Sequence, residues 1–221
     1  MHKIHEYHFP TEIIFGCGSF QTIVSRINNR NFKKILIVSD TNVVKLDFFR
    51  DIYDKLSNLS DCRYFCDFSP NPQNDEIDNI YKGKEEFIPE LIIGLGGGAS
   101  IDVAKSLSVS LGHNKNILHF EESRGGDKLI DPNKLIPVWA IPTTSGTGSE
   151  VGRSSVVSDS STKQKKVIFH PKMIPQLVIC DPVLTEKLPS NVTAHTGIDA
   201  FVHLFEAYCA VGFHPLADGI A

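Results

Sequence analysis

Asp199 and His203 stand four residues apart in the stretch Thr196 to Tyr208 (TGIDAFVHLFEAY). The stretch reads as a helix, and that spacing places both side chains on one helical face. A carboxylate oxygen and an imidazole nitrogen so placed can chelate Zn2+ or Fe2+. An isolated pair at this spacing is more commonly an ordinary hydrogen bond, and two donors do not make a tight site. His170, His195 and His214 qualify as further ligands by type, but spacing singles out none of them. His2, His5, His8, His113 and His119 read as surface or strand positions.

A second kind of chemistry is suggested by Gly94 to Lys105 (GLGGGASIDVAK), which follows an apolar run and opens a helix. Glycines permit positive φ and let a ligand approach the main chain. The free N–H groups and positive dipole end of the next helix suit a pyrophosphate. The spacing is neither GxGxxG nor a P-loop, so a tight turn without a ligand is the competing reading. Pro142 to Glu150 (PTTSGTGSE) repeats the theme, and Thr143, Thr144 and Thr147 could donate to phosphate or ribose oxygens. A helix-capping loop would have the same composition. Asp40, after ILIVS, could accept from both hydroxyls of a ribose, and its charge would oppose a 2′-phosphate. That favours NAD over NADP. A plain N-cap is the alternative.

The elements that must hold these residues follow from the apolar pattern. Lys34–Ser39, Glu90–Leu95, Leu135–Ile141 and Gln176–Cys180 read as strands buried on both faces. Helical patterns cover Phe48–Leu59, Asn74–Phe87 and Ser100–Leu111. Alternating strands and helices predict a parallel sheet with helices on both faces. Ser158–Lys166 is polar and reads as a hairpin or loop. Beyond Asp181–Pro182 the strand rhythm stops, and a second, helical domain is expected from about residue 186. His214–Ala221 reads as a helix still opening, as expected of a sequence that continues.

Composition narrows the classes. Of 221 residues 41% are apolar, enough for a sizeable core and too many for disorder. With 22 basic against 26 acidic side chains, the net charge of −4 argues against a nucleic-acid grip. No apolar run reaches a membrane span, and MHKIHEYHFP lacks a signal peptide's apolar stretch, so a cytoplasmic protein off the membrane is expected. Cys17, Cys62, Cys66, Cys180 and Cys209 form no CxxC pair and read as structural thiols.

Taken together, Phe15-Gly16-x-Gly18, Asp40, Pro70-Asn71-Pro72, GGGASIDVAK, IPTTSGTGSE, Asp181-Pro182 and TGIDAFVHLFEAY resemble the iron-containing (group III) alcohol dehydrogenase family. Its superfamily also holds glycerol dehydrogenase and dehydroquinate synthase. The resemblance implies a Rossmann-like α/β dinucleotide-binding domain over residues 1–185 and the start of an all-helical metal-binding domain over 186–221. It implies NAD as cofactor, with NADP disfavoured, and one divalent metal, Fe2+ or Zn2+. Asp40 would hold the adenine ribose. Asn71, Gly97, Gly98, Ser100, Asp102, Thr143, Thr144, Thr147 and Lys165 would meet the cofactor. Asp199 and His203 would be the first two metal ligands, the other two being histidines further along.

The implied reaction passes a hydride between the nicotinamide and a small alcohol or aldehyde, with the metal as Lewis acid and no side chain needed as general base. A homo-oligomer, dimer or larger, is also implied. The alternatives are a non-oxidoreductase or a glycerol dehydrogenase-like member of the superfamily, or a nucleotide-binding piece without chemistry. Gly152-Arg153 and Cys17 depart from the family pattern.

Overall fold

The computed structural model describes residues 11–82, 87–212 and 214–221. His2, His5, His8 and residues 83–86 of the expected Asn74–Phe87 helix lie outside these. Four apolar runs form the middle of a sheet: β2 (Lys34–Val38), β4 (Leu91–Gly96), β5 (Val138–Pro142) and β8 (Leu177–Cys180). Side chains alternate faces along a strand, so a strand covered on both sides must be apolar throughout. On β2, Ile35 and Ile37 join one core cluster while Leu36 and Val38 join another on the opposite face. The first cluster packs under α1 (Thr22–Arg30) and α2 (Asp47–Ser57), the second under α3 (Asn74–Lys82) and α4 (Gly98–His113).

Two shorter strands, β1 (Glu12–Phe15) and β3 (Asp61–Phe65), close the edges. The six-stranded order is β1-β8-β5-β4-β2-β3, with every neighbour parallel. The parallel sheet with helices is therefore as expected. The chain runs from β2 outward to β3, then returns to β4 on the other side of β2. Such a reversal leaves a crevice beyond the carboxyl ends of the two strands, where open α/β sheets bind ligands.

Some boundaries shift. Leu135–Pro137 lie outside β5, because the Ile136 carbonyl accepts from Ser108 Oγ of α4 (2.6 Å) instead of entering the ladder. The polar segment after residue 158 is the turn of a hairpin between β6 (Ser154–Ser158) and β7 (Lys165–Phe169), antiparallel from Ser154↔Phe169 to Ser158↔Lys165. His113 is neither surface nor strand. It ends α4 half-buried, its Nδ1 donating to the Val109 carbonyl (2.9 Å) and its Nε2 accepting from Asp131 N–H (2.8 Å).

Buried Asp181 accepts from Phe20 N–H and Val183 N–H, tying the end of β8 to the turn after β1. Beyond it the chain is helical: α5 (Ser190–Cys209) and α6 (Pro215–Ile220). No helix among the described residues is long and apolar enough to cross a membrane. All five cysteines are free thiols.

Candidate functional site

The crevice is built from the two loops that leave β2 and β4. Ser39 Oγ donates to the Leu95 carbonyl (2.6 Å), fastening the strand ends together. Asp40 follows, its Oδ1 accepting from Asn42 N–H (2.9 Å) and Val43 N–H (3.1 Å). The expected cap is thus real. Its Oδ2 faces Gly96, 3.4 Å from where a Cβ would stand, and takes no hydrogen bond among the described residues. One oxygen holds the loop while the other remains for a ligand.

Gly96 has φ +151°, and a Cβ there would collide with Ser100 Oγ. Only glycine lets the chain turn this tightly into α4. The helix begins without a side-chain cap, and its first N–H groups have no helical partner. Ser100 is buried, and its Oγ has no hydrogen-bond partner. An orphaned hydroxyl beside uncapped N–H groups suits a pyrophosphate, which supplies acceptors to all of them.

The loop after β5 covers this turn. Thr143 N–H donates to the Gly96 carbonyl (3.0 Å). A Cβ on Gly97 would lie 3.5 Å from Thr144 Oγ1, and one on Gly98 would lie 3.2 Å from Thr147 Oγ1. The two motifs therefore form one cradle.

A cleft of about 430 Å³ opens from it, lined in part by Asn71, Gly98, Asp102, Thr147, Lys165 and His203. Asn71 is carried there because the Pro72 carbonyl accepts from Ser158 N–H (2.7 Å), docking its segment on the hairpin. Lys165 enters from the start of β7. Asp40, Gly97, Ser100, Thr143, Thr144 and Asp199 do not line this cleft. All but Asp199 belong to the turn and cradle at its head.

Asp102 lines the cleft, beside the turn as expected, and also has partners within the protein. Its Oδ1 accepts from Ser149 Oγ (2.5 Å) and its Oδ2 from Val156 N–H (3.1 Å), so both oxygens hold the protein together. Burial pushes its carboxyl above the usual range, against the pull of Lys105.

Sequence reasoning missed Lys105. It is 1% exposed, and burial drives its ammonium down to about 8, although Asp102 and Glu150 draw it up. The available signal was a lone cation in the apolar helix run ASIDVAKSLSVSL.

Asp199 and His203 are on α5, with His203 Nδ1 3.5 Å from Asp199 Oδ1 and 2.8 Å from the Asp199 carbonyl. A carbonyl can only accept, so Nδ1 is the nitrogen that donates, which leaves Nε2 as the one that can offer a lone pair. That is the arrangement a metal needs. A Cβ on Gly146 would stand 3.4 Å from Asp199 Oδ2, so the second loop lies directly against this carboxylate. Among the described residues no cluster of three or more histidines, cysteines or acids could hold a metal. His170 and His214 instead cap turns through Nδ1, accepting from Lys172 N–H and Ala217 N–H.

A family model described as iron-containing alcohol dehydrogenase matches residues 10–182. The chain is 32% identical over 210 residues to the sulfoacetaldehyde reductase of Bilophila wadsworthia, covering 95% of this chain and 53% of that protein. It is 33% identical over 214 residues to long-chain-alcohol dehydrogenase 1 of Geobacillus thermodenitrificans, covering 96% and 53%. The crystal structure of a sulfoacetaldehyde reductase from Bifidobacterium kashiwanohense in complex with NAD+ superposes with TM-score 0.89 at 28% identity, covering 99% of this chain and 57% of that one. The chain thus spans about half the length of these relatives.

Proposed function

Because the chain belongs to the iron-containing alcohol dehydrogenase family, we propose that it supplies the cofactor half of an oxidoreductase acting on a small alcohol or aldehyde. Residues 1–185 are the dinucleotide-binding unit and 186–221 open the helical, metal-binding one. The carrying observation is the convergence of the α4 turn, the loop after β5, Lys165 and His203 on one cleft. The NAD+ complex of a similar reductase supports the choice of cofactor. The oxygen-and-imidazole donor pair fits either Fe2+ or Zn2+.

Each residue has a role in this reading. The N–H groups at the start of α4 and Ser100 Oγ donate to the pyrophosphate. Asp40 Oδ2 accepts from the ribose hydroxyls, and its charge opposes a 2′-phosphate, favouring NAD. Thr143, Thr144 and Thr147 close the cradle from above, while Asn71 and Lys165 form the far wall. Asp199 Oδ and His203 Nε2 are the donors for the metal. When bound, the metal supplies Lewis acidity at the substrate oxygen, and the nicotinamide gives or takes the hydride. No side chain of this chain need act as general base.

Binding tests this directly. NAD+ and NADH titrated by fluorescence should saturate, metal analysis should find one divalent ion, and an alcohol should convert NAD+ stoichiometrically. Failure to bind both cofactor and metal refutes the reading. Turnover without net nicotinamide reduction would favour a lyase-like relative. A cytoplasmic homo-oligomer belongs to the same proposal, supported by the exposed apolar side chains of Ile13 and Phe15 on edge strand β1. Sedimentation at micromolar concentration checks the oligomer.

A further inference from the structure

Lys105 is buried in the wall of the cleft it helps to line, and the proposed reaction does not use it. Its Nζ donates to the Ser149 carbonyl (2.6 Å), Ser149 Oγ (3.1 Å) and the Ser154 carbonyl (2.8 Å). An ammonium has three donors, and all three are spent on one segment between β5 and the hairpin. Asp102, one turn earlier on the same face of α4, takes hydrogen bonds from Ser149 Oγ and Val156 N–H. The two charges are 3.9 Å apart. They grip residues 149–156 from α4 with donors and acceptors alike. Thr147, Gly148, Ser149, Gly152 and Ser154 of that segment line the cleft.

We infer that Lys105 is a positioning residue whose ammonium pins the Ser149–Ser154 segment to α4 and thereby sets the cleft wall that receives the cofactor. The inference rests on the reading of this cleft as the nicotinamide site. Stability alone does not call for the arrangement. Removing an ammonium from water is costly, and a methionine of similar length would fill the space without that cost. Asp102 and Glu150 are the acids that draw its charge, yet burial outweighs them and lowers its affinity for the proton. What the cation provides is geometry. Two carbonyls five residues apart in sequence meet at one point, which no apolar side chain could arrange.

The test replaces Lys105 by methionine and by arginine in the protein and reads two signals. Hydrogen–deuterium exchange without cofactor should speed up in residues 149–156 by about tenfold in Lys105→Met, with β2 and β4 unchanged. The KM for NAD+ should rise about tenfold while kcat stays within about threefold. Lys105→Arg, which keeps the charge and donors, should recover part of both. Unchanged exchange and unchanged KM overturn the inference, as does a fall in kcat with KM unaltered. Should the methionine variant fail to fold, Lys105→Gln, which cannot supply three donors, carries both readouts, and wild-type values in it overturn the inference. A wild-type protein that binds no nicotinamide dinucleotide refutes the cofactor reading instead. The exchange measurement, made without cofactor, then still decides for or against the pinning.

Discussion

Helices α4 and α5 both carry residues of the site, and they are anchored in opposite ways. On α4, Ile101, Val103, Leu107 and Val109 are at most 1% exposed, packed on the sheet and beneath the hairpin. On α5, Ile198, Phe201, Phe205 and Tyr208 are 57–70% exposed, and no residue of the helix is buried. A contiguous apolar face of that size is a surface suited to being covered. The difference teaches which half of the chemistry this chain fixes by itself. The glycine turn into α4 is held by a complete core. Asp199 and His203 have the spacing a metal pair would need, and their helix meets the second loop at Gly146 and the cleft at His203.

The sharpest contrast comes from removing a ligand. His203→Ala or Asp199→Ala should abolish metal loading and lower turnover at least about a hundredfold, leaving NAD+ affinity nearly intact. Metal analysis and fluorescence titration separate the two, and equal loss of both would show that α5 supports the cofactor half as well. Next in size is a matched pair of truncations. Leu107→Ala on α4 should cost about 2–5 kcal/mol by urea unfolding, because it leaves a cavity in the core. Leu204→Ala on α5, 41% exposed, should cost less than about 1 kcal/mol in this chain alone. Similar values would erase the contrast.

The pH dependence of stability, compared between the wild type and a Lys105 variant, probes α4. Folded Lys105 titrates at about 8, whereas an unfolded lysine holds its proton to about 10.4. Between those values the unfolded lysine binds more protons than the folded one, so Lys105 by itself should raise stability with pH, by about 3 kcal/mol, against the opposite pull of the raised Cys62, Cys66 and Cys180 thiols. Below pH 8 the full cost of the buried cation is present. Lys105→Met should flatten that limb in urea unfolding series; an unchanged slope would assign it elsewhere. Smallest is Asp40→Gly, which should relax the preference for NAD over NADP about tenfold. An unchanged ratio would leave Asp40 only its capping role.

The central strands were legible because a strand covered on both faces has to be apolar at every position, as in Ile35 to Val38. The edge strands EIIF and DCRYF were not: the first has only three apolar residues in a row, and in the second Asp61 and Arg63 break the run on the solvent side. Helix α1 (TIVSRINNR) escaped notice for a related reason: its β-branched and amide residues are weak helix formers, and only Ile23 and Ile27 are buried to mark a face. In the site, glycine and hydroxyl motifs announced their loops. Their meeting did not show, because it depends on contacts between distant strands. Lys105 makes the point most plainly. Its partners lie 44 and 49 residues away, so no local window could reveal why a cation sits in that helix.

Gly146 has a consequence of its own. A side chain there would wedge between the second loop and Thr196 and Asp199 of α5. The gap between the second loop and the Asp199 carboxylate is therefore gauged by a hydrogen atom. Backbone, which varies little in length, sets this spacing, and side chains drift freely around it. Sequence change elsewhere in the loop can alter its polarity without altering its clearance, whereas any change at this one position is converted directly into distance.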